Sequence, residues 1–75
     1  MQRVGFDSTV IASAGYDAGL RMLEVEFTSG AVYRYFLVPG RVWRELRAAE
    51  SAGGYFGAAI RGRYPEEWMP EGGTR

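Results

Sequence analysis

Arg41, Arg44 and Arg47 recur at every third position, and Arg61 and Arg63 follow further along. Guanidiniums interleaved with Trp43 and Tyr64 suit one chemistry: planar donor forks on phosphate oxygens, with aromatic faces under nucleobases. The candidate nucleic-acid-binding residues are therefore Arg41, Arg44, Arg47, Arg61, Arg63 and Trp43, with Trp43 taken as exposed. The competing reading is a solvated helix face, the usual fate of charge at this spacing. Three other groups invite chemistry. Glu24 and Glu26 share one face of an alternating run, but nothing there encloses them, so they are expected to pair with Arg34 rather than to catalyse. Ser51-Ala52-Gly53-Gly54-Tyr55 has the glycines of an anion cradle at a helix N-terminus. It lacks the spacing and the Lys of a phosphate loop, and a Ser-capped joint between two helices is expected instead. Tyr33-Arg34-Tyr35 offers either a platform for stacked bases or two core rings, and strand register decides between them.

The absences are as informative. The chain has no Cys and no His. That removes disulfides, thiolate metal sites and the commonest general base, so no enzyme activity, metal or cofactor is expected. Net charge is zero, from nine basic and nine acidic residues, which argues against a bulk polyelectrolyte role. The distribution is uneven: residues 38 to 64 carry Arg41, Arg44, Arg47, Arg61 and Arg63 against Glu45 and Glu50, while the tail from Pro65 carries Glu66, Glu67 and Glu71 against Arg75. The N-terminus shows no signal-peptide run, and no apolar stretch approaches the roughly 18 residues of a membrane span, so a cytoplasmic protein is expected.

These side chains must be held by a small core. The chain has 75 residues, of which 47% are hydrophobic and 15% aromatic, enough for one domain but not for two. Ser8 to Tyr16, Met22 to Phe27 and Ala31 to Leu37 read as strands. In the second, Leu23, Val25 and Phe27 alternate with Glu24 and Glu26. A two-residue loop at Ser29-Gly30 would pair Phe27 with Val32 and bring Arg34 onto the apolar face. A three-residue loop, Thr28-Ser29-Gly30 with Gly30 left-handed in a bulge, pairs Phe27 with Ala31. The apolar face then holds Leu23, Val25, Phe27, Ala31, Tyr33 and Tyr35, and Arg34 lies outside beside the glutamates. This second register buries no charge and is the expectation, which makes Tyr33 and Tyr35 core.

Val38-Pro39 opens a helix with Pro39 at its first position. Val42, Leu46 and Ala49 form its core stripe, and the three arginines occupy a neighbouring arc. Ser51 caps a second helix carrying Tyr55, Phe56, Ala59 and Ile60, which Gly62 ends. The ordered core runs over about 8–64. The tail 65–75 is expected to be irregular and frayed at its end, save for Trp68, whose indole is too large to stay fully solvated.

This pattern resembles the KTSC family, small domains named for their place at the C-terminus of some lysyl-tRNA synthetases and also found as stand-alone bacterial proteins. The residues carrying the resemblance are Ser8, Ile11, Gly15-Tyr16-Asp17, Leu23 to Phe27, Gly30, Tyr33-Arg34-Tyr35 and Val38-Pro39. Leu46, Ala49, Ser51, Gly53, Tyr55-Phe56, Ile60-Arg61 and Tyr64 complete it. Gly57 stands where such sequences usually have Asn, and Trp43 where Tyr or Phe is usual. The synthetase context implies RNA as partner.

The expected fold is α+β, a three-stranded antiparallel β-meander packed on one face by two C-terminal α-helices. The expected function is a small non-enzymatic binding module for RNA or another nucleic acid. The alternative is a protein-interaction or homo-oligomerising module, using an outer sheet face with Val32 and Phe36 or an open strand edge.

Overall fold

The computed structural model describes residues 1–72. Its elements in chain order are β1 (Arg3–Gly5), β2 (Ile11–Asp17), β3 (Met22–Phe27), β4 (Val32–Tyr35), α1 (Gly40–Ala48), α2 (Ala52–Ala59) and β5 (Glu66–Trp68). The strands form one antiparallel sheet in the order β1-β2-β3-β4-β5. Two helices and an antiparallel sheet are the expected α+β class, but the sheet has five strands and not three. The two additional strands span three residues each and lie at the sheet edges, too short for alternation to show in sequence. No helix among the described residues is long and apolar enough to cross a membrane.

The β3–β4 hairpin adopts the three-residue loop. Leu23 lies opposite Tyr35 and Val25 opposite Tyr33. The Phe27 N–H donates to the Ala31 carbonyl at 2.9 Å, and Gly30 has φ +97°. That conformation is open to glycine and costly for side chains, so Gly30 fixes the register. Leu23, Val25 and Tyr35 are consequently buried on the inner face, with Phe27 and Tyr33 half-buried against them. The rings Phe27 and Tyr35 both meet Phe56 of α2 edge-on, at 5.3 and 5.4 Å. Val42 and Leu46 of α1 and Ile60 after α2 close this core.

Pro39 sits one position outside α1, which begins at Gly40. Its fixed φ of −70° still directs the chain, and its carbonyl accepts the first bond of the turn, from the Val42 N–H at 3.0 Å. Ser51 caps α2 as expected: its Oγ accepts from the Gly54 N–H at 3.0 Å. That bond uses a donor an anion would need. Gly53 allows a second close approach, because a Cβ there would lie 3.0 Å from Val10. The segment is a joint and not a cradle.

The outer face departs most from expectation. Glu24 is fully buried. Arg3 reaches its Oε2 through Nε at 2.9 Å and Nη2 at 2.6 Å, and the Arg34 Nε reaches its Oε1 at 2.8 Å. The pairing with Arg34 is the expected one, but Arg3 and the enclosure are not. The chain termini build that enclosure. Arg3 also donates to the Gly72 carbonyl at 2.8 Å, and Met1 lies over Gly15, where a Cβ would come within 3.1 Å of its Cγ and 2.8 Å of the Gln2 carbonyl. Gly15 stands between Arg3 and Glu24 in the sheet, so its missing side chain leaves the space in which they meet.

Candidate functional site

Helix α1 commits Val42 and Leu46 to the core, and its 3.6-residue period leaves Arg41, Arg44 and Arg47 exposed. Arg41 bridges Glu45 one turn on at 3.6 Å, and the Tyr55 hydroxyl donates to the same carboxylate at 2.6 Å. Burial, followed by that bond to Glu45, pushes the Tyr55 phenol up to about 12. Arg63 joins Arg41, Glu45, Tyr55 and Tyr64 along the crease between the helices. Arg44 and Arg47 lie together on the adjoining surface. Among the described residues, neither Arg44, Arg47 nor Arg63 forms an ion pair with a carboxylate.

Trp43 is not an open stacking face. It is half-buried, parallel to Tyr16 at 6.0 Å and tilted against Phe6 at 6.5 Å, with the Arg47 guanidinium 5.4 Å from its centroid. It fastens the segment after β1 to α1, a contact between parts of the chain that no local pattern predicts.

Arg61 is the member of the set that faces elsewhere. It lies 5.7 Å from the Phe56 ring and lines a groove of about 540 Å³, together with Phe27, Tyr33, Tyr35 and Glu66. In that groove Glu66 of β5 lies opposite the buried Tyr35 of β4. Burial first, then the Glu66 charge, raises the Tyr35 phenol far above the ordinary tyrosine range. Tyr33 and Tyr35 run nearly parallel at 6.4 Å, and Trp68 is the register partner of Tyr33. The tail expected to be irregular thus supplies Glu66 and Trp68 from a strand. Trp68 is held in place yet stays 60% exposed. The size of its indole is the signal the sequence offered. Of the end expected to fray, Glu71 to Arg75, residues 73–75 lie outside the described residues, while Gly72 is engaged by Arg3.

The arginines therefore form a surface over α1 and the interhelical crease, carrying Arg41, Arg44, Arg47 and Arg63, with Arg61 in a separate aromatic groove. Such guanidiniums can hold phosphates, and such a groove can hold a flat ring.

The chain is similar to known proteins in sequence and in fold. A KTSC domain protein of Yersinia pestis superposes with a TM-score of 0.89 at 35% identity, over 91% of this chain and 96% of that one. An uncharacterized protein of Stutzerimonas stutzeri is 41% identical over 68 residues, which cover 91% of this chain and 96% of its own length. A lysine–tRNA ligase of Nostoc punctiforme is 38% identical over 63 residues, which make up 84% of this chain but only 11% of that protein. The KTSC domain description matches residues 7–64, from the turn before β2 through both helices. With that match spanning most of the chain and the fold superposed on a KTSC domain protein, the chain belongs to the KTSC family.

Proposed function

We propose that this protein is a non-enzymatic RNA-binding module whose contact surface is the arginine face of α1 with Arg63 of the interhelical crease. The observation carrying this reading is that Arg44, Arg47 and Arg63 are exposed and, among the described residues, joined to no carboxylate. Guanidiniums in that state keep their donor forks for phosphate. The relationship to a segment of a lysine–tRNA ligase supports a nucleic-acid partner. A net charge of zero makes such binding local to this face rather than a property of the whole chain. The competing protein-interaction reading loses part of its surface, since Val32 is buried and the β4 edge is covered by β5.

The test is a fluorescence-anisotropy titration of labelled single-stranded and stem-loop RNA over a range of salt. Binding is expected to weaken log-linearly with salt. The double substitution Arg44→Glu/Arg47→Glu is expected to reduce the single-strand slope by about 1.4, since each phosphate contact contributes about 0.7. Absence of binding by the parent at low salt refutes the proposal.

A further inference from the structure

The groove beside Tyr33 is not explained by the arginine surface. It brings a guanidinium and a carboxylate, Arg61 and Glu66, to one aromatic-walled space. Among the described residues these two do not pair with each other. Glu66 lies opposite Tyr35 in the sheet and is exposed on the edge strand, which leaves its acceptor capacity open to a ligand. On the same sheet face, half-buried Tyr33 has as its cross-strand partner a tryptophan left 60% exposed. An exposed indole beside a half-buried tyrosine adds a second flat face to this edge of the sheet. The groove, at about 540 Å³, is within the range of small-ligand sites, roughly 300–1,000 Å³.

Flat aromatic walls select a flat ring, and the polar pair selects among rings. A guanidinium fork needs two adjacent acceptors, and a carboxylate needs two adjacent donors. Guanine presents both: O6 and N7 accept on one edge, while N1–H and the exocyclic amine donate on the next. Adenine sets a donor beside an acceptor on the edge where guanine has two acceptors. Cytosine offers the carboxylate one amine, and uracil one N–H between two carbonyls. We propose that this groove binds a guanine base, stacked on Tyr33 beside Trp68, with Arg61 donating to O6 and N7 and Glu66 accepting from N1–H and the exocyclic amine. The inference rests on the RNA reading for the choice of a nucleobase as occupant. The base itself can come from a free nucleotide or from a single strand.

Two arms separate those sources and also separate this inference from the reading beneath it. In the first, the amide resonances of the isotope-labelled chain are followed on addition of GMP, AMP, CMP or UMP. GMP is expected to shift Tyr33, Arg61 and Glu66 selectively. In the second, an all-uridine decamer is compared with the same strand carrying one central guanosine, which is expected to bind about tenfold tighter. Glu66 is exposed on the edge strand, so Glu66→Gln should fold as the parent does. Its amide presents a donor to N1–H, and it is expected to abolish the guanine preference, so that the two strands bind the variant with equal affinity. GMP shifts no larger than those of UMP, or a guanine preference that survives Glu66→Gln, overturn the groove assignment. Equal, salt-sensitive binding of both strands overturns it while the arginine surface stands. A selective GMP shift with neither strand bound at low salt keeps the groove and removes the RNA reading.

Discussion

Replacing Glu24 by Gln tests how the termini are held to the sheet. The carboxylate is fully buried and takes three guanidinium hydrogen bonds, two from Arg3 and one from Arg34, at 2.6 to 2.9 Å. Glutamine keeps the shape but removes the charge and turns an N–H₂ donor toward a guanidinium. Removing one partner of a buried pair costs about 3–5 kcal/mol, because the remaining charge is left without compensation. Here Arg3 keeps Glu26 at 3.6 Å, and Arg3 and Arg34 retain 22% and 24% side-chain exposure, which places the cost near the low end, about 3 kcal/mol. At about 0.1 kcal/mol per residue this domain has roughly 7 kcal/mol of stability, so the substitution removes close to half. The melting temperature should fall by about 12–24 °C, given 4–8 °C per kcal/mol for domains of this size. Urea unfolding followed by tryptophan fluorescence measures the free energy. Amide exchange should show β1 losing protection first, since Arg3 is the residue that ties it down. A Glu24→Gln variant within about 0.5 kcal/mol of the parent would refute the argument, because that is the scatter of an ordinary surface change.

Two further outcomes concern the helices. Leu46→Ala empties a site with no exposed surface and should cost about 2–5 kcal/mol by equilibrium unfolding; a melt within a degree or two of the parent would contradict the core assignment. Tyr55 has its folded-state pKa raised from 10 to about 12, so its contribution to stability is complete below pH 10 and is lost as pH rises toward 12. Tyr55→Phe should therefore flatten the alkaline limb of the stability curve, and absorbance titration of the parent should show late-ionising tyrosines; an unchanged limb would contradict the Glu45 bond.

Much of this architecture was legible without coordinates because local rules govern it. Alternation over Leu23 to Phe27 set a half-buried strand, Gly30 chose the loop length and with it the faces of Tyr33 and Tyr35, and Ser51 announced a helix cap. Each of those signals acts within a few residues, as a dihedral preference or a hydrogen bond to a near neighbour. The arginine face of α1 was legible for the same reason, since helical period alone separates it from Val42 and Leu46.

What lay hidden depends on residues far apart in the chain. Arg3 meets Glu24 across Gly15, Trp43 stacks on Tyr16, and Glu66 meets Tyr35 only once β5 has folded back onto β4. Strands of three residues carry too little pattern to be read, and the burial of Glu24 contradicts the rule that charge faces water until its two partners are in place. The sequence by itself determined the meander's central register and the helix faces, because short-range sterics and periodicity suffice for both. Tertiary structure alone decided that the termini close over a buried carboxylate and that Arg61 leaves its fellow arginines for an aromatic groove, because both follow from where distant segments pack.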